Sequence, residues 1–267
     1  MVFLPLLALA LGPACVPVEE DSGGEETSSD CDFSADPCDS GAAWITTCDT
    51  YPTIQAALDA ADNGTTVHVC AGTHDESLLL SVDDHPTQHI NLDGDGSGST
   101  TIRASAVDLE VDGAAVSAGM VIYDDGVELD IAGLTLEGGS GYEWSPGTAD
   151  ADSHGGGLYF HQARAQLSDV VITGNTARIA GGIYADQSDL KLTNCAVTSN
   201  TSSGGGAFVL QSSSVQVITS DLGDGASDNT PEDVEIPAQD DGGPTYYRYG
   251  AGASFTCSVD TRTCTDD

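Results

Sequence analysis

Between Gly156 and Gly225 the apolar residues keep two rhythms. Within short runs they alternate: Leu158 with Phe160, Ala165 with Leu167, Val170 with Ile172. A step of two puts side chains on one face of a strand, whereas a helix needs steps of three and four. Over a longer range the runs return every 25 residues. Leu158, Ile183 and Phe208 form one column, Ala165, Leu190 and Val215 a second, Leu167, Leu192 and Val217 a third, Ile172, Val197 and Leu222 a fourth. Cys195 stands in a column with Val170 and Ser220, and Asn175, Asn200 and Gly225 close the units. A fixed period in this range marks a solenoid. Each unit holds three short strands separated by turns, which predicts an all-β solenoid with three strands and about 25 residues per coil.

Polar columns supply the bends. Asn and Gly both tolerate left-handed backbone, so the 175/200/225 column is assigned to a turn. Coils stack about 4.8 Å apart, close enough for equivalent Asn side chains to hydrogen-bond along the axis. Gly-Gly pairs such as Gly181-Gly182 mark a second bend, where a side chain would strike the coil above. A leucine-rich repeat is set aside, although Leu167-x-x-Val170-x-Ile172-x-x-Asn175 fits its string. Ala177 and Ser202 stand where that repeat continues with an apolar residue, and the return segments read as strands.

Outside the repeats, Ile54, Ala57, Leu58 and Ala61 share one helical face ending at Asn63-Gly64, and Val67 and Val69 then alternate. A helix therefore precedes the first strand. Leu134-Thr135-Leu136 resembles Val170-x-Ile172 but lies 36 residues earlier, 11 more than one period, which places an insertion in 138–156. Residues 240–267 leave the period and carry aromatics and a Cys pair, as a cap on an open end would. The expected layout is a signal segment over 1–14, a lipid-anchor Cys with a disordered acidic tether over 15–44, the solenoid over 45–237 and a C-terminal cap over 238–267.

Charge narrows the partners. Six Lys and Arg face 43 Asp and Glu, a net charge of −37. Nucleic acid and anionic lipid surfaces, which must be met by basic residues, are excluded. The acidity reads as a solvated surface, with Ca²⁺ binding as a compatible addition because carboxylates are hard oxygen ligands. At the N-terminus the apolar run VFLPLLALALG is too short to span a bilayer and fits a signal segment. Ala14-Cys15 resembles a bacterial lipoprotein site, which would lipidate Cys15 and make the anchor the sole membrane contact. Ordinary secretion is the alternative, because no Lys or Arg precedes the run and Gly12 stands where Leu is usual. Export permits disulfides. Sequence proximity suggests Cys31–Cys38, Cys48–Cys70 and Cys257–Cys264, leaving Cys195 as an inert thiol in an inward column.

The Gly181-Gly182-Ile183-Tyr184 and Val171-Ile172-Thr173-Gly174-Asn175 strings resemble the repeats of bacterial surface β-helix proteins. The segment TYPTIQAALDAADNGTTVHVCAGTHDE, residues 50–76, resembles the start of many pectin-lyase-like chains, in which a short helix caps the open end. This resemblance to the pectin-lyase-like superfamily covers roughly 45–236. It implies a right-handed single-stranded parallel β-helix and makes polysaccharide lyase or hydrolase activity a serious reading.

The enzyme residues of that family are not matched. Asn175-Thr176-Ala177, Ser153-His154-Gly155 and Arg178-Ile179-Ala180 resemble polygalacturonase motifs but carry Ala177 for the acid and Ala180 for the Lys. An inverting glycosidase needs two carboxylates across the bond. No catalytic residue is assigned, and a non-catalytic role is expected: an envelope or surface protein, monomeric, presenting a face to polysaccharides or surface proteins. The ligand-binding candidates lie in and beside the insertion: Tyr142, Trp144, Asp150, Asp152, His154 and Arg178. Rings on a long loop can stack on sugars, and long loops on a rigid scaffold commonly carry function. Asp93, Asp95 and Ser97 resemble the opening of a Ca²⁺ loop, though Ala104 stands where a bidentate Glu is wanted.

Overall fold

Strand pairing follows the columns. Leu158 pairs with Ile183 and Ile183 with Phe208, Ala165 with Leu190 and Leu190 with Val215, Ile172 with Val197, all in parallel. The structure, a computed structural model, describes residues 36–39, 41–46, 48–81, 89–105, 110–111, 114–123, 126–144, 152–237 and 244–267. They form a right-handed parallel β-helix, the hand favoured by parallel crossovers.

Three sheets make its walls. Sheet 1 joins Thr66–Val69, His89–Gly94, Glu128–Ala132, Arg164–Ser168, Asp189–Thr193 and Ser214–Ser220. Sheet 2 joins Gly72–Asp75, Thr100–Arg103, Thr135–Glu137, Val171–Thr173 and Ala196–Thr198. Sheet 3 joins Leu78–Ser81, Met120–Tyr123, Leu158–His161, Ile183–Asp186, Thr201–Gln211 and Thr230–Ile236. Their inward Leu, Ile, Val and Phe side chains fill the bore as one cluster. Burial of these columns is the main stabilising term, at about 25 cal/mol per Å² of apolar surface.

Bends occur where the polar columns fall, with one shift. Left-handed backbone belongs to the residue before each Asn, Gly174 at φ 65° and Ser199 at φ 57°. Asn175 and Asn200 themselves are fully buried, and their side chains form the ladder. Its third rung is Asn229, not Gly225, because the last coil carries a short 3-10 turn, Gly225–Ser227, ahead of it. At the other bend a Cβ on Gly181 would lie 2.5 Å from the Thr201 amide nitrogen, so only glycine lets the coils stack there.

Both ends are closed. Helix α1, Ile54–Asp59, is capped by Thr53 and buries Ile54, Ala57 and Leu58 over the first coil. Its Gln55 amide accepts from the Leu79 amide at 2.8 Å and donates to the Leu79 carbonyl at 2.9 Å, standing in for a neighbouring strand at the edge of sheet 3. The opposite end carries antiparallel strands: Ala253–Ser258 and Thr263–Asp266 on sheet 1, and Thr245–Tyr247 on sheet 3. Tyr249 stacks on Phe255 at 3.8 Å within this cap.

Two expectations about the N-terminal part are corrected. The tether does not run to residue 44: Ala43–Ile45 is a strand on sheet 1 with Ala43 and Ile45 buried, as their alternation requires. Cys38 bonds to Cys70 with Cα atoms 5.6 Å apart, because antiparallel pairing of Ala43–Ile45 with Thr66–Val69 brings the Pro37–Asp39 turn to the end of that strand. This rules out the Cys31–Cys38 and Cys48–Cys70 pairings; Cys48 is disulfide-bonded to another partner. Cys257–Cys264 forms as expected. Cys15 and Cys31 lie outside the described residues. No helix among the described residues is long and apolar enough to cross a membrane.

Candidate functional site on the outer face of sheet 3

The predicted insertion leaves the helix between sheets 2 and 3. Thr135 pairs with Val171, a step of 36 residues where the repeat takes 25. Its strands Gly141–Trp144 and Asp152–His154 form an antiparallel hairpin, and the first pairs with Ala114–Ser117 from an excursion of the previous coil. This small side sheet exists because sheet 3 has an apolar outer face. Leu79, Val121, Tyr159, Tyr184 and Val209 align as one outward column. Ala118, Tyr142 and Ala180 pack over Val121, Tyr159, Tyr184 and Val209 to make a second cluster outside the bore.

Tyr142 belongs to that packing. It is 1 % exposed and meets the Tyr159 ring edge-on at 4.9 Å, so it offers no platform for a sugar. An aromatic on a loop with an apolar wall beneath it folds onto the wall. The backbone of Trp144 pairs opposite Asp152, and Asp150 lies outside the described residues.

The other three ligand candidates meet. Asp152, His154 and Arg178 line a cavity of about 310 Å³ with Tyr184, Gln211 and Glu235. A bridge between His154 and Ile179 brings the hairpin beside the Arg178 turn. The Arg178 amide donates to Ser153 Oγ at 2.9 Å, and its guanidinium pairs with Asp152. The Tyr184 hydroxyl donates to Gln211 Oε1 at 2.7 Å, and its ring lies edge-on to His154 at 4.8 Å. Burial lowers the His154 pKa, outweighing its hydrogen bond to Tyr142 and the charge of Asp186, so the ring is neutral at pH 7. Burial likewise pushes the Tyr184 phenol up. Glu235 follows Val209 in the outward column, and burial raises its carboxyl pKa although the Gly205 amide offsets part of the cost. No Lys, Arg or His among the described residues pairs with it.

Glu235, Tyr184 and Gln211 were not anticipated from the sequence. The signal was present in Tyr159, Tyr184 and Val209, an apolar column at outward positions that alternation should make polar.

The remaining candidates are dispersed. Asp95 accepts from the Ala71 amide at 2.9 Å, Asp93 lies 3.8 Å from His68, and the Ser97 carbonyl accepts from Thr135 Oγ1 at 2.7 Å. These contacts hold a turn between sheets 1 and 2. Among the described residues no three His, Cys, Asp or Glu side chains gather at metal-ligand reach. Ala177 and Ala180 are buried, so the polygalacturonase-like strings present no acid or base there. A second groove, also about 310 Å³, runs over the polar face of sheet 1 past His89, Asp130, Arg164, Gln166 and Lys191. Its His89 lies 3.0 Å from Asp130, and Arg164 lies 3.4 Å from Glu128.

No protein-family model matches the sequence, and no curated protein matches it. Among solved structures, the pectin methylesterase of Erwinia chrysanthemi is similar with 13 % identity over 81 % of each chain and a TM-score of 0.39. A pectin methylesterase in complex with a hexasaccharide is similar with 17 % identity over 66 % of this chain and a TM-score of 0.36, and this chain spans 62 % of its length. The pectin methylesterase of Aspergillus niger shares 19 % identity over 65 % of this chain and 68 % of its own, with a TM-score of 0.30.

Proposed function

We propose that the protein is an exported β-helix that binds glycans without turning them over, held at the cell envelope through Cys15. The observation that carries this reading is the pocket on sheet 3, where the insertion hairpin, the Arg178 turn and the outward column converge, so that Tyr184 and Val209 share one cavity with Asp152, His154, Arg178, Gln211 and Glu235. A sugar has ring faces for apolar contact and hydroxyls for hydrogen bonds, and such a mixed lining meets both. The hydroxyls of the pocket's lining are turned to other partners: Ser203 donates to the Arg178 carbonyl at 2.7 Å and Tyr184 to Gln211 at 2.7 Å.

Titration of neutral, acidic and amino oligosaccharides by calorimetry tests the reading. At least one class should bind, and binding should weaken about tenfold or more in Arg178→Ala, which opens the pocket wall. Absence of binding across the panel, or binding indifferent to Arg178→Ala and Gln211→Ala, overturns it. Metabolic lipid labelling that is lost in Cys15→Ser supports the anchor; an unlabelled native chain removes it.

A second reading, a polysaccharide lyase or hydrolase, has the sheet 1 groove in its favour, where His89 and Asp130 could exchange a proton at 3.0 Å. The pectin methylesterase neighbours belong to that broad class of polysaccharide-acting proteins. Release of methanol, reducing ends or unsaturated products from pectin, lost in Asp130→Asn, would establish it over the binding reading.

A further inference from the structure

Glu235 and Tyr246 face each other across the last antiparallel pair of sheet 3. Residues directly opposite in such a pair project from the same face. Tyr246 therefore extends the outward column that runs from Tyr159 through Tyr184 and Val209 to Glu235, which lines the pocket. Unlike the two tyrosines before it, it is open: 46 % exposed, the one large hydrophobic side chain so exposed among the described residues. Cap packing, the role expected of it from sequence, falls to Tyr247 and Tyr249 instead.

We propose that Glu235 and Tyr246 recognise a protonated amine carried on a sugar ring, so that the pocket takes an amino-sugar polymer with free amines. This rests on the glycan-binding reading and specifies its ligand. The sugar face lies on the Tyr246 ring and the ammonium lies against the Glu235 carboxylate, where ring and charge act together.

The charges around the site favour this class over others. Arg178 is neutralised by Asp152, and His154 is uncharged with Asp186 behind it. Arg248, in the segment that follows Tyr246, is divided between Glu232 and Asp228. Glu235 is thus the uncompensated charge of the pocket, and burial already makes that charge costly. A uronate or sulfated glycan would meet Glu235, Glu232 and a chain of net charge −37. A neutral sugar would leave the carboxylate without a counter-charge. An ammonium supplies one and forms a charge-assisted hydrogen bond.

The test compares β-1,4-linked glucosamine tetramers, their N-acetylated counterparts, galacturonate tetramers and tetralysine by calorimetry at 0.15 M salt and again at 0.5 M. The glucosamine tetramer should bind about tenfold or more tightly than the others, and the preference should vanish in Glu235→Gln and survive the higher salt, since a partly buried pair is screened little. Tyr246→Ala should weaken both glucosamine and N-acetylglucosamine oligomers. Tetralysine binding as tightly as glucosamine, or glucosamine affinity unchanged in Glu235→Gln, reduces the effect to attraction by the acidic surface and overturns the proposal. Sensitivity of neutral or acidic oligosaccharides to Arg178→Ala with no amine preference overturns it while the glycan-binding reading stands. If no saccharide binds, both fall. Thermal melts of each variant exclude misfolding as the cause.

Discussion

The Asn175 side-chain amide donates to Asn200 Oδ1 at 3.1 Å, and Asn200 repeats the gesture to Asn229 Oδ1 at 3.2 Å. The bonds all run one way. They end on a carboxylate, because Asn229 Nδ2 donates to Asp233 Oδ1 at 3.0 Å, and Asp233, fully buried, also accepts from the Tyr249 amide. The ladder thus reaches from the first regular coil into the C-terminal cap.

Removing its middle rung should cost more than one hydrogen bond. Asn200 Oδ1 also accepts from the Asn175 amide, and its Nδ2 donates to the Ile172 carbonyl. Asn200→Leu leaves those buried groups without partners, and a loss of about 3 kcal/mol is expected. Urea denaturation of the variant checks this; a midpoint equal to that of the native chain would show that the ladder is dispensable.

Glu235 should make the native protein less stable than a variant without it at neutral pH. Its folded pKa is raised above the unfolded value of 4.5, chiefly by burial. The folded state then holds its proton to higher pH than the unfolded chain, so stability falls as pH rises from the unfolded pKa through the folded one. Glu235→Gln should melt higher at pH 7 and lose that advantage near pH 3.5. The same melting temperature at both pH values would contradict the assignment.

Cys195 should be silent to thiol reagents in the folded state. Its Sγ lies 3.4 Å from the Thr193 carbonyl, 3 % of the residue is exposed, and burial pushes the thiol pKa up to about 11. Ser220, next in its column, bonds the carbonyl two residues back in the same manner at 3.0 Å. Cys195→Ser should therefore change stability by less than about 1 kcal/mol. Rapid labelling by a thiol reagent in native buffer would place the sulfur elsewhere.

The Cys38–Cys70 bond closes a separation of 32 residues, and losing such a loop constraint costs about 3–4 kcal/mol. Cys38→Ser should lower the urea midpoint accordingly. Non-reducing peptide mapping should recover residues 38 and 70 in one fragment; a fragment joining 48 and 70 would reverse the assignment.

The bore was legible in the sequence because stacking forces each column to repeat one kind of residue. A Leu at 158 and an Ile at 183 fill the same slot one coil apart, so period and register could be read together. Positions governed by contacts between distant segments were hidden. Cys38 lies beside Cys70 through the antiparallel pairing of Ala43–Ile45 with Thr66–Val69, a contact between distant segments. The third Asn rung moved from 225 to 229 because the last coil is longer by a 3-10 turn. Of the site, the hairpin and the Arg178 turn were anticipated from the break in period. Glu235 and Tyr246 were not, since their meeting depends on a reversal of strand direction in the cap.

That reversal has a further consequence. A parallel stack with a ladder through its core is the arrangement that lets identical chains add to one another without limit. Here the outermost strands of sheet 1 run against their neighbours at both ends, and the edge of sheet 3 is occupied by a glutamine amide at one end and an antiparallel strand at the other. In these two sheets the parallel order of the stack is not carried through to the edges, so the internal order of a fibre stops short of a fibre's growing end.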